Sequence, residues 1–168
     1  TRGLAVDLIG IEGDKNHLVN AAEVLAMNGF SEADYSLHHG VAAPKPGKAI
    51  FPNPEAGTAA WGGAAIFYPD RKTLKKAEDD PAVQVLDCKT LEEVAGGKPI
   101  DLLHIDIQGA EADYVPGNMA SIAKLVRRML IGTHSRVIEG KLMEHMLAAG
   151  WVLVLFRRPT SNLRIHTQ

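Results

Sequence analysis

"IDLLHIDIQGAE", residues 100–111, decides how this chain is read. Its first eight residues are the strongest strand in the sequence, a short apolar run that stops where Gly109 suits a tight turn. Two polar groups interrupt that run. His104 and Asp106 share a parity, so they face one side of the sheet. Inside a buried strand such groups cost free energy unless they are satisfied or used. Asp106 ends the strand, where an aspartate either caps the following turn or meets a ligand as acceptor or base. His104 lies deeper and reads as a core histidine rather than a catalyst. Gln108 and Glu111 follow in the loop, and Glu111 suits the capping of backbone amides.

Outward from this strand, apolar stretches alternate with helical ones. "GLAVDLIGIE" (3–12) reads as a buried strand, and Asp14 caps a helix over 15–28. Leu18, Ala22 and Leu25 form its apolar stripe and Gly29 stops it. "DYSLHHGVAA" (34–43) is a second strand candidate, with the histidine pair 38–39 reading as partly exposed edge residues. Residues 44–81, rich in Gly, Pro and Ala around Trp61 and Phe67, read as loop with short β pieces, and "DRKTLKK" (70–76) as a solvated face. "AVQVLDC" (82–88) is a strand and "TLEEVAG" (90–96) a helical turn or two. Past residue 107 the pattern predicts a helix around 117–124 and a strand over 126–133. Ser135 then caps a helix to Ala149 with Val137, Ile138, Leu142 and Met146 inward, and "WVLVLFR" (151–157) is the last strand.

This alternation predicts an α/β fold, a mostly parallel sheet with helices on both faces. Ligands of such sheets bind beyond the carboxyl ends of the strands. The residues there are Glu12, Gly40, Asp106 to Gln108, and Thr133 to Ser135. Glu12 precedes a glycine and a helix, where a carboxylate either sits solvated in the loop or accepts both hydroxyls of a nucleotide ribose. The glycine-rich loop of dinucleotide folds lies ~20 residues before such an acid, and only eleven residues precede Glu12 here. His134 ends its strand at the same crevice as Asp106, and histidine is the residue type that suits a general base near neutrality. Ser135 reads as a helix cap, and no Gly-x-Ser-x-Gly elbow exists to support a serine hydrolase. A metal site from His104, Asp106 and His134 lacks any ligand-spacing signature.

Composition narrows the class. At 168 residues the chain fits one domain with a full hydrophobic core, and its 46% apolar and 23% charged residues are ordinary for a globular protein. A net charge of −2 gives no basic field for nucleic acid. The single cysteine, Cys88, rules out an intrachain disulfide and a thiolate metal cage, and fits a cytoplasmic setting. No run reaches the ~18 apolar residues of a membrane span, and no signal peptide is visible. The chain opens on Thr1 and enters a strand almost at once, so it reads as a piece of something longer.

Taken together, these residues resemble the FkbM family of S-adenosylmethionine-dependent methyltransferases, from about residue 4 to 157. "LIGIEGDKNHLVNAAEVLAMNGF" is similar to the family's second strand and helix, and "SLHHGVAA" to its third strand. The most specific part is "VQVLDCKTLEEV" followed by "IDLLHIDIQGAEADYVPG", where the family pattern reads Lys-Ile-Asp-Val-Glu-Gly-Ala-Glu. "LIGTHSRVIEGKLMEHMLAAGW" resembles the fifth strand and its helix, often Glu-Val-His in the family. Three departures stand out: His104 replaces lysine, Gln108 replaces glutamate, and Gly132-Thr133 stands where an acid often precedes His134.

The resemblance implies a Rossmann-like class I methyltransferase fold lacking, in this chain, the first strand and the glycine loop. It implies S-adenosylmethionine as cofactor, with Glu12 and Gly13 at the ribose, Gly40 and Val41 lining the adenine, and Asp106 near the methionine moiety or acceptor. His134 would flank the acceptor, a small molecule or glycan hydroxyl, with His134 or Asp106 as base. The altered His104 and Gln108 keep a second expectation open, a methyltransferase-like module that binds without catalysing. A nicotinamide oxidoreductase shares the strand-end acid, but no Gly-x-Gly-x-x-Gly is present.

Overall fold

Asp14 starts the first helix as its position predicts. Its carboxylate accepts the Asn16 N–H at 2.8 Å, and α1 (Lys15–Met27) runs from there to a left-handed Gly29 (φ 84°). The computed structural model describes residues 6–56 and 64–154. Within it α1 connects β1 (Leu8–Glu12) to β2 (Tyr35–His39), which pair in parallel from Leu8↔Tyr35 to Glu12↔His39. Leu18, Ala22 and Leu25 belong to the half-buried stripe of α1, and the helix packs against this pair.

Gly40 breaks the expected 34–43 strand in two. β3 (Val41–Ala42) leaves β1 behind and pairs in parallel with β6 (Val83–Lys89). A Cβ on Gly40 would lie 2.8 Å from the Asp87 carbonyl oxygen, so a side chain here would push the strands apart.

Residues 44–81 are more regular than their composition predicts. They contain β4 (Gly47–Pro52), β5 (Ile66–Phe67) and α2 (Arg71–Glu78). β4 pairs antiparallel with β5 and, from Gly47↔Cys88 to Pro52↔Val83, with β6, giving the order β3-β6-β4-β5. Asp70 caps α2 by accepting the Thr73 N–H at 2.7 Å; Ala77 turns inward while Arg71, Lys72, Lys75 and Lys76 stay in water. The solvated face read at 70–76 is thus one side of a helix. Trp61 falls outside the described residues.

The main core lies under the strand quoted first. β7 (Leu103–Ile105) pairs in parallel with β8 (Met129–Ile131), and an isolated bridge joins Ile100 to Val126. The ladder is shorter than the spans 100–107 and 126–133. Leu103, Ile105 and Ile107 meet Tyr114 and Val115 of α4 (Glu111–Gly117), and Ile122 and Leu125 of α5 (Met119–Leu125). Leu142 of α6 (Arg136–Ala148) and Leu91 of α3 (Leu91–Ala95) complete the cluster. Two short helices replace the single one expected near 117–124, and Asn118 joins them, its side-chain amide donating to the Tyr114 carbonyl at 2.9 Å. Ser135 does cap α6, its Oγ accepting the Ile138 N–H at 3.1 Å. Ile138, Leu142 and Met146 face the core on one i, i+4 row, whereas Val137, a third of a turn away, is 68% exposed and not inward as expected.

Among the described residues, helices cover only one face of the β7–β8 pair. Leu102 and Leu130 are more than half exposed on the other, and His104, the register partner of Leu130, is exposed beside them. His104 therefore stands on an open face and not in the core. Three of the five strand pairings among the described residues are parallel and two antiparallel, so the fold is α/β with parallel pairings in the majority and an antiparallel part at β4. Residues 151–154 are not in a strand, and the rest of 151–157 lies outside the described residues. No helix among the described residues is long and apolar enough to cross a membrane.

Candidate functional site

The strand ends converge. A cavity of about 590 Å³ is lined by Glu12 and Gly13 after β1, Gly40 and Val41 after β2, and Asp106 and Gln108 after β7. Its size is that of a small-molecule site. All five positions expected to meet a cofactor are on this one cavity. Phe51 and Phe67, on two of the short β pieces read in 44–81, add an apolar wall. The signal for that wall was the apolar "AIFP" between Gly47 and Asn53.

The turn after β1 is held from three directions. Glu12 Oε1 accepts the Asp14 N–H at 2.8 Å, and its Oε2 lies 3.8 Å from His17 Nδ1. The Gly13 carbonyl accepts from His39 Nε2 at 3.1 Å and from Gln84 Nε2 at 3.0 Å. His39 is half-buried on β2, which pairs only with β1 among the described residues, so the partly exposed edge reading stands while its ring ties down the Gly13 turn. A Cβ on Gly13 would sit 2.9 Å from the Phe51 ring, so the aromatic wall needs glycine there. Glu12 keeps its side chain 39% exposed, so it both shapes the turn and offers a carboxylate edge to solvent.

The turn after β7 is built on Glu111. This side chain is fully buried, and its Oε1 accepts the N–H groups of Ile107 (3.1 Å) and Gly109 (3.3 Å). Those bonds hold a loop in which both Gln108 (φ 54°) and Gly109 (φ 98°) adopt left-handed backbone, which costs a non-glycine residue ~1–2 kcal/mol. The same Oε1 lies 2.9 Å from His134 Nδ1. A carboxylate only accepts, so Nδ1 carries the proton and donates it. The other ring nitrogen, Nε2, lies 3.4 Å from Asp106 Oδ1. Asp106 and His134 are therefore together, as the sequence suggested, with Asp106 on the cavity wall and His134 behind it.

Glu111 is the residue whose importance sequence reasoning missed. Its capping role was legible, but its partnership with a histidine 23 positions away was not. Asp106, Glu111 and His134 each offer a ligand atom within 4.8 Å of the others. The trio considered from sequence is not assembled, because Glu111 stands where His104 was placed. Burial pushes the Cys88 thiol up, away from the reactive thiolate, and it packs in the sheet core.

A relative aligns with most of this chain. Over 156 residues the chain is 46% identical to a protein of Jannaschia sp. (strain CCS1) named "Putative methyltransferase". The match covers 93% of this chain and 56% of that protein, so the chain spans a little over half the relative's length. No protein-family model and no solved structure matches the chain.

Proposed function

We propose that this chain belongs to an S-adenosylmethionine-dependent O-methyltransferase of the Rossmann-like, FkbM-resembling kind, acting on a hydroxyl of a sugar or small molecule. One observation carries the reading: Glu12, Gly13, Gly40, Val41 and Asp106, which the resemblance puts at the cofactor, line a single cavity. The name of the 46% identical relative supports methyl transfer. The cavity's apolar wall at Phe51 and Phe67 and its carboxylate at Glu12 fit an adenine and a ribose respectively.

S-adenosylmethionine, when bound, supplies a methyl carbon on a cationic sulfur. Glu12 accepts hydrogen bonds from the ribose hydroxyls, and Gly40 and Val41 line the adenine. Asp106 and His134 receive the acceptor hydroxyl, and the bare Nε2 or the Asp106 carboxylate takes its proton as the oxygen attacks. Glu111 keeps the imidazole turned toward Asp106. Much of the rate in such a displacement comes from holding the two partners in line.

Calorimetric titration of the full-length protein with S-adenosylmethionine, and separately with NAD, tests the reading. Saturable binding of the former and none of the latter is expected. Failure to bind S-adenosylmethionine would overturn it.

A further inference from the structure

Gln108 combines a strained backbone with a side chain that the fold leaves idle. We propose that its amide binds the carboxylate at the methionine end of S-adenosylmethionine. That contact rests on the methyltransferase reading of the cavity.

The backbone at 108 lies in the left-handed region (φ 54°), which a residue with a Cβ adopts at a cost that glycine escapes. The turn is kept in that shape by Glu111, whose carboxylate accepts the flanking N–H groups of Ile107 and Gly109. Strain held in place by its surroundings clusters at sites where a side chain has to be aimed at a ligand. The Gln108 side chain is exposed on the cavity lining and makes no hydrogen bond among the described residues.

The charge of the cavity says what such an amide is for. Glu12, Asp14, Asp106 and Asp113 line it, and no lysine or arginine does among the described residues. This wall suits the sulfonium and ammonium of the cofactor but repels its carboxylate, which needs an N–H donor. The backbone donors of the turn are already engaged. Glu111 takes those of Ile107 and Gly109, and the Ile107 carbonyl takes that of Ala110 at 3.3 Å. Among the described lining residues, two side chains carry an N–H group, His17 and Gln108. His17 stands on α1 beside the carboxylates of Glu12 and Asp14, 3.8 and 3.9 Å away, at the ribose end. Gln108 stands two residues from Asp106, at the end that the resemblance gives to methionine. Its amide offers two N–H donors to a carboxylate, whereas the ionised glutamate usual at this position in the family it resembles offers none. The departure at 108 thus turns an acceptor into a donor at nearly constant shape.

The test titrates full-length protein by calorimetry with S-adenosylmethionine and with its decarboxylated analogue, which lacks only the carboxylate. Gln108→Ala should weaken S-adenosylmethionine by about fivefold or more and leave the analogue's affinity almost unchanged. Gln108→Glu should weaken S-adenosylmethionine further while the analogue binds as tightly as before or tighter. Gln108→Gly should unfold in urea at or above the parent's midpoint, because glycine adopts this backbone without strain. Equal effects of Gln108→Ala on both ligands, or none on either, would overturn the carboxylate contact and leave the methyltransferase reading standing. Binding of neither ligand by the parent would overturn that reading and this contact with it. A glycine variant less stable than the parent would make Gln108 a structural residue and overturn the proposal.

Discussion

His134 stands between two carboxylates of opposite setting, its Nδ1 2.9 Å from the buried Glu111 and its Nε2 3.4 Å from the half-exposed Asp106. The buried partner dictates the proton's place. Long-range nitrogen–proton spectra, taken where the ring is neutral, should show the proton on Nδ1. A neutral ring protonated on Nε2 would contradict the Glu111 contact.

Glu111 should matter to stability as well. Glu111→Leu leaves the Ile107 and Gly109 N–H groups without an acceptor, for a loss of ~2–4 kcal/mol. Glu111→Gln keeps an amide oxygen in place and should lose only ~1 kcal/mol. Urea unfolding of the two variants checks the order; a leucine variant as stable as the parent would show that these bonds do not hold the loop.

Glu12 is the residue on which cofactor affinity should turn. If the proposed function holds, Glu12→Ala would remove two charge-assisted hydrogen bonds to the ribose and should weaken S-adenosylmethionine binding by ~1–3 kcal/mol. Because Glu12 Oε1 also braces the Asp14 N–H, a small drop in melting temperature is expected beside it. An unchanged dissociation constant would remove Glu12 from the ribose.

Gly40 separates the sheets that frame the cavity. In Gly40→Ala the new methyl meets the Asp87 carbonyl oxygen at 2.8 Å, a backbone atom that cannot swing aside. A loss of ~1–3 kcal/mol is expected on urea unfolding. Full stability would mean that β2 and β6 have slack at this point.

Tyr114 should limit the alkaline range. Burial pushes its hydroxyl up to about 12 from an ordinary 10.0. Above pH ~10 the unfolded chain loses this proton while the folded chain keeps it, so stability falls as pH rises toward about 12, by ~2–3 kcal/mol in all. Below pH ~10 both states are neutral and the contribution is complete. Unfolding measured from pH 8 to 12 should decline less in Tyr114→Phe; an equal decline would assign it to other groups.

What could be read from the sequence was mostly local. Asp14 and Ser135 announce their helices because a cap's partner is two or three residues away. The same logic at Asp70 was available, yet four basic residues on the exposed side hid Ala77 on the other. β4 and β5 were legible as short β pieces, but not their extent or pairing, because the main partner of β4 is β6, some thirty to forty residues on, and a strand is stabilised by what lies beside it. Parity put His104 and Asp106 on one side of β7, but whether a layer covers that side depends on residues far away. So Asp106 was well placed, His104 was not, and Glu111 gained a partner that no local pattern shows.

The carbonyl of Gly13, reached by His39 from 26 residues away and Gln84 from 71, also sets a clock. Each of those closures gives up chain entropy before it returns any bond, so contacts this distant in sequence form slowly compared with a helix turn. The rim beside Glu12 is complete only when three separate segments have met. During folding the helices can exist before the cavity does, and the first molecule able to capture a ligand is one in which the long-range contacts are already made.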